Sequence, residues 1–431
     1  MRATQLLFGS WIAVVGAAAA CSPGTEPGGP SQTSTGGRSG SGGGGNSSAG
    51  TGGTSGGGGT TGTGGNTRGS GGTSGTGGGG AVGGSGGSVS GSGGSPAGSG
   101  GSSGADAGTP GGDVSTPGSD TGMPPTSEGD TPPARPLNVT APKMRVTHTF
   151  RAKAADPAVS FNDNNQVSLV DPRSTKMVGK LVLPFGGVGT NNGIIGPAGE
   201  FLASRGYHIL GIAAFQDYNI IRDDADFWGD ARRTVFEGKK YTNKYEFANI
   251  NITPADGVMM RTEKALKYLH AMFPAEDWGY FLNADGSVRW SDVIFTGMSH
   301  GASNAARFAM LVRSAGAVSF AGPRDNTCNS TNTATCNANF AKWFTEVPKT
   351  PIDRFYAVTG NTDEQYPQHL YTMHKMNYVG QPTNGSTGSP PYNNSHRIVM
   401  NGGHDWFCSN NLRNLCNYLF KVPTENQAGV P

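Results

Sequence analysis

Charge is scarce in this chain. Of its 431 residues only 14% are Asp, Glu, Lys or Arg, and they balance to a net +2. That excludes a nucleic-acid surface built on excess positive charge and leaves no field to steer a strongly charged substrate. Apolar residues are also few, at 34%. The one long apolar run, Leu6 to Ala20, falls short of the roughly 20 residues that span a bilayer comfortably. Cysteine occurs five times and never as Cys-x2-Cys, so the usual spacing of a structural zinc site is missing. The glycines at 186, 187 and 189 are not followed by Lys-Ser/Thr, which rules out a Walker-type phosphate loop. Asp223-Asp224-Ala225-Asp226 lacks the spaced glycine and terminal glutamate of an EF-hand loop.

What is present falls into three parts: residues 1–20, 21–136 and 137–431. The first is a targeting segment, with Arg2 ahead of the apolar run. It ends Ala18-Ala19-Ala20-Cys21, which resembles a bacterial lipobox. The resemblance implies cleavage before Cys21 and lipidation of that cysteine, although Ala18 stands where leucine is usual. Cleavage within the alanine run, giving a secreted soluble form, is the alternative. Residues 21–136 are dominated by Gly, Ser and Thr and turn proline-rich toward Pro132, Pro133 and Pro136. So few apolar residues cannot offset backbone entropy, and a long disordered tether is expected. A flexible coil of about 110 residues has a root-mean-square span of roughly 55–60 Å. Most of the 72 glycines lie here, which explains the low apolar content overall. The expected location is the cell envelope, outside the cytoplasm, with the membrane touched only through the lipid at Cys21.

The other four cysteines agree with export. Cys328, Cys336, Cys408 and Cys416 form two Cys-x7-Cys pairs. The repeated spacing favours Cys328–Cys336 and Cys408–Cys416, while three connectivities stay open on the sequence.

The most informative motif is Gly297-Met298-Ser299-His300-Gly301. Ser291–Thr296 before it reads as a short buried strand, and Ala302–Val312 after it has helical spacing. A strand, a Gly-x-Ser-x-Gly turn and a helix present the serine oxygen on a strained turn, where a Cβ at either glycine would collide with a neighbour. Two further strands follow. Arg354–Thr359 leads into Gly360-Asn361-Thr362-Asp363, and His396–Met400 leads into Asn401-Gly402-Gly403-His404. Serine, acid and histidine thus come in the chain order of a nucleophile-elbow triad. Ser299 is the expected nucleophile, His404 the base, and Asp363 the acid that sets the imidazole tautomer. Asp325 and Glu364 compete for the acid role, Asp405 reads as structural, and His300 is expected to act through its backbone N–H. Val178–Pro184 reads as a strand, and Phe185-Gly186-Gly187-Val188-Gly189-Thr190 after it as a loop of oxyanion donors. Gly187 or Val188 is expected to donate beside His300. One such donor is worth about 3 kcal/mol in the transition state.

Residues from about 178 to 420 resemble the α/β-hydrolases, specifically secreted bacterial serine hydrolases and esterases. The glycine loop after an apolar strand, the passage Ala203–Gly211, the elbow Gly297–Gly301, Gly360–Asp363 and Gly402–His404 carry the resemblance. Where the family usually has a histidine before its oxyanion glycines, this chain has Phe185. Alternating strands and helices in turn predict an α/β fold, a mostly parallel sheet with helices on both faces. Strands are expected over Tyr207–Ala213 and Ala317–Phe320, and a helix from about Asp256 to Met272. The aromatic, Asp- and Arg-rich stretch from Gln216 to Tyr245 is expected to be a lid, a substrate-binding insertion or an irregular loop.

The expected activity is hydrolysis of a small-molecule or polymeric carboxylic ester through an acyl-enzyme on Ser299, with no metal or organic cofactor required. Trp406 and Phe407 are candidates to line the substrate pocket, or else core anchors. An amidase, peptidase or acyltransferase with the same triad is the second reading. The third is a surface-binding protein on a hydrolase scaffold.

Overall fold

Buried β-branched and aromatic runs become the strands of one nine-stranded sheet. The computed structural model describes Pro133, 135–218 and 223–427. The targeting segment, Cys21 and the tether up to its last residues lie outside the described residues. Strands β1 (Val146–Arg151), β2 (Asn165–Val170), β3 (Leu181–Phe185), β4 (His208–Gly211), β5 (Val293–Met298), β6 (Gly316–Phe320), β7 (Phe355–Gly360), β8 (Thr383–Asn384) and β9 (Arg397–Met400) lie in the order β1-β2-β4-β3-β5-β6-β7-β9-β8. β1, β2 and β4 pair antiparallel, and every pairing from β4 through β3 to β8 is parallel.

Helices α1 (Ala152–Ala155), α2 (Gly196–Ala203), α3 (Ala225–Glu237), α4 (Val258–Met272), α5 (His300–Leu311), α6 (Tyr366–Lys375) and α7 (Arg413–Leu419) pack on that sheet. The central parallel strands β3 to β7 are buried on both faces, so they read as largely apolar runs. Successive side chains point to opposite faces. Leu181, Leu183 and Phe185 of β3 accordingly join one core with residues of α3, α4, α5 and α6. Val182 joins the other, with α2 and α7. Each fully buried Leu or Phe contributes about 1.5–3 kcal/mol relative to an exposed one. Helices therefore cover both faces of a mostly parallel sheet, the α/β-hydrolase architecture expected from the sequence. Among the described residues no helix is long and apolar enough to cross a membrane.

The Gln216–Tyr245 stretch departs from the expectation of a lid or an irregular loop. Much of it is α3, whose Phe227, Trp228, Ala231, Val235 and Phe236 are buried in the core. Asp224 accepts from the Phe227 amide at 3.0 Å as N-cap, and Gly238 ends the helix with φ 65°. One of the acidic residues is thus a helix cap.

Strand register sets the site. Phe185 lies opposite Gly297, so the glycine loop leaves β3 beside the end of β5. Gly360 lies opposite Met400, so the loops after β7 and β9 start side by side.

Candidate active site

Ser299 follows β5 and caps α5 with φ 59° and ψ −120°. Such a conformation costs a non-glycine residue roughly 1–3 kcal/mol and persists only where the surroundings impose it. Here the Ser299 amide donates to the Phe320 carbonyl of β6 at 2.9 Å. Both flanking glycines are required by space. A Cβ on Gly297 would strike the Gly301 carbonyl, and one on Gly301 would strike the carbonyls of Phe185 and Gly186. The neighbours are the elbow's own helix and the end of β3.

Asp363 and His404 meet because their loops interlock. The Asn361 amide donates to Met400 and the Thr362 amide to Gly402, each at 2.9 Å. The Asn361 side chain in turn accepts from the Gly402 amide at 3.2 Å. His404 Nδ1 lies 2.8 Å from Asp363 Oδ2. The Asp363 side chain is fully buried while that of His404 is 32% exposed. Burial opposes ionisation of Asp363. The His404 hydrogen bond and the Gln365 amide at 2.8 Å outweigh it, so the carboxyl sits below its ordinary range. The Ser299 hydroxyl makes no side-chain cap on α5 and no hydrogen bond to His404 among the described residues. The rival acids lie in other surroundings. Asp325 is held in a buried fork by Arg232, with both contacts at 2.6 Å. Glu364 is exposed, and Asp405 accepts from the Trp406 amide at 2.6 Å.

One residue near the acid escaped the sequence reading. His369 on α6 is fully buried, with Nδ1 2.8 Å from Thr359 Oγ1 and 3.8 Å from Asp363 Oδ2. Burial pushes it down to about 3, so it is neutral under the acid. Nothing marks it among eight histidines except a place on the core side of the helix after the acid, beside Leu370.

In the glycine loop after β3, a Cβ on Gly187 would stand 3.8 Å from the Ser299 Cβ, so the loop backbone passes directly by Ser299. The Gly187 and Val188 amides donate to no group among the described residues, whereas the Gly189 amide is occupied by the Gln216 carbonyl at 3.0 Å. The Val188 side chain is 60% exposed. His300 begins α5, so its N–H has no acceptor within the helix. Its ring is buried edge-on to Tyr218 at 4.4 Å. Burial and then the Arg232 charge keep it neutral.

Phe407 is buried in the core, and half-buried Trp406 tilts on Phe320 at 5.8 Å. Disulfides join Cys328–Cys336 and Cys408–Cys416. The second ties the chain just after His404 to α7. Among the described residues no cluster of three or more His, Cys, Asp or Glu is arranged to hold a metal ion.

No protein-family model and no curated protein matches the chain. Solved structures do match. An S-formylglutathione hydrolase from Agrobacterium tumefaciens is 11% identical, over 65% of this chain and 97% of that one, with a TM-score of 0.36. The Staphylococcus aureus fluorophosphonate-binding serine hydrolase F is 12% identical, over 66% and 100%, at 0.34. Esterase 2 of Thermogutta terrifontis is 13% identical, over 65% and 91%, at 0.31. The α/β-hydrolase fold of this chain rests on its strand order and on the turn between β5 and α5.

Proposed function

We propose that this chain is a serine hydrolase that cleaves carboxylic esters, with Ser299 as nucleophile, His404 as base and Asp363 as the orienting acid. The observation that carries the reading is the 2.8 Å bond from His404 Nδ1 to buried Asp363. It joins two loops that share a sheet end with the strained Ser299. With Nδ1–H held by the carboxylate, Nε2 is the nitrogen left to take the serine proton. Ser299 Oγ then attacks the ester carbonyl, and the developing oxyanion is met by the amides of His300 and of Gly187 or Val188. His404 returns the proton to the leaving alcohol as the tetrahedral intermediate collapses. A water activated by the same imidazole hydrolyses the acyl-enzyme. Every step balances with the chain's own residues. The two disulfides support a compartment outside the cytoplasm, and we place the enzyme in the cell envelope, anchored through lipid on Cys21.

Labelling of the full-length protein with a fluorophosphonate probe in a bacterial host tests this. Wild type is expected to label and to hydrolyse p-nitrophenyl esters, while Ser299→Ala and His404→Ala do neither. The labelled band is expected with the membranes, and Cys21→Ser is expected to release it. A folded, disulfide-intact wild type that takes no label would sink the hydrolase reading and favour a binding protein. A soluble wild-type band would remove the anchor alone.

A further inference from the structure

Phe185 occupies the place where the α/β-hydrolases usually carry a histidine ahead of the oxyanion glycines, and it serves the core. It is 1% exposed and packs edge-on against Phe308 at 5.3 Å. Something else must hold a loop containing three glycines, because glycine-rich backbone does not hold its own geometry. Gln216, just beyond β4, meets that need with all four of its polar groups. Its carbonyl accepts from the Gly189 amide at 3.0 Å, and its amide donates to Asn191 Oδ1 at 2.9 Å. Nε2 donates to the Thr190 carbonyl at 2.9 Å, and Oε1 accepts from Asn304 Nδ2 at 3.4 Å.

Asn304 lies on α5, five residues after Ser299, so this last contact joins the glycine loop to the elbow helix. Asn304 Oδ1 is fixed by Arg232 Nη1 at 2.6 Å and by the Tyr218 hydroxyl at 3.2 Å. The same Arg232 nitrogen donates to the His300 carbonyl at 3.2 Å. The rest of the guanidinium forks onto Asp325, which Trp343 Nε1 also holds at 3.1 Å. Gln216, Asn304, Arg232 and Asp325 are all buried. A buried polar network whose members are satisfied is rigid and specifies one arrangement.

We propose that Gln216 and Asn304, braced by the Arg232–Asp325 pair, are positioning residues that hold the Gly187–Val188 amides in register with the His300 amide. Oxyanion donors act only when they are already in place as charge develops, and an error of about 1 Å can cost 100-fold in rate. The inference rests on the serine hydrolase reading.

Gln216→Leu keeps the volume, removes both side-chain links and leaves the backbone links intact. Turnover of a p-nitrophenyl ester is expected to fall about 10- to 100-fold through kcat, with KM changed less than about twofold. The rate of phosphonylation by a fluorophosphonate should fall in parallel, because that reaction also places an oxyanion beside Ser299. Gln216→Glu keeps the acceptor for Asn304 and deletes the donor to Thr190, and it carries the same expectation if the leucine variant does not fold. A folded variant with wild-type kcat, or with its loss confined to KM, overturns the inference. Failure of both variants to fold also overturns it, in favour of a purely structural role. A wild type without label or turnover overturns the hydrolase reading instead, so the two failures are told apart.

Discussion

At the residue scale, this site depends on places where no side chain fits. Gly360, which opens the loop to Asp363, is an example. A Cβ there would strike the carbonyls of both Gly402 and Gly403, because the acid and histidine loops run against the end of β7. Gly360→Ala must push those loops apart and stretch the His404–Asp363 bond. Ester turnover is expected to fall at least about 100-fold. Gly403→Ala is the control, since the nearest atom to its added methyl is Thr362 Oγ1 at 3.9 Å. It should stay within about twofold of wild type. Equal activity of the two variants would show that the loops do not need this close approach. His369 belongs to the same scale. Its role under Asp363 is invisible to motif reasoning because it comes from packing of α6 against β7, not from spacing along the chain.

At the scale of elements, the strands that carry the site were legible as apolar runs, buried on both faces in β5 and β7 and at alternate residues in β9. The run before the elbow is observed as Val293–Met298, and the runs before the acid and histidine as Phe355–Gly360 and Arg397–Met400. Boundaries moved by one or two residues, within the fraying expected of any assignment. β1 was not legible, since its Thr147, Thr149 and Arg151 are exposed and only one of its residues is buried. α3 was hidden by the acidic and aromatic residues on which the reading fixed. The disulfide joining Cys408 in the histidine loop to Cys416 in α7 makes a prediction at this scale. Closing so short a loop stabilises by about 2–3 kcal/mol, mostly by restricting the unfolded chain. Its second effect is to hold the chain just beyond His404. Replacing both cysteines by serine is expected to lower ester turnover several-fold while the far-UV circular dichroism remains native. Unchanged turnover in that variant would show that the interlock with the acid loop holds His404 unaided.

For the whole molecule, burial of neutral histidines sets the response to acid. His369 is pushed down to about 3, His208 to about 4 and His300 well below its ordinary 6.5, in each case by burial first. The unfolded chain takes up these protons near pH 6.5 and the folded one only at lower pH. Their contribution to stability is therefore complete above about pH 6.5 and is lost as pH falls through the lower folded values. The slope is on the order of 1 kcal/mol per pH unit for each histidine inside that window. Asp363, whose pKa is lowered, acts below it: its contribution is present above its ordinary 3.8 and is lost as pH falls through the folded value. The urea midpoint is expected to drop clearly between pH 7 and pH 5. A flat midpoint over that range would mean that the buried histidines accept protons without unfolding.

The chain by itself determined the kind of fold, the Gly297–Gly301 turn between a strand and a helix, and the order in which Ser299, Asp363 and His404 follow their strands, because these are local signals. They consist of apolar runs, a glycine pattern and the ends of strands, all read within a few residues. Only the tertiary structure decided which acid meets the imidazole. Asp363 and Asp325 both follow strands, and the register of β7 against β9 brings Asp363 to His404 while Arg232 claims Asp325. Only the tertiary structure, too, brings Gln216, Asn304 and Arg232 together beside the glycine loop, since they lie on three separate segments. Contacts between residues far apart in the chain are set by how faces pack, and no spacing along the chain records that.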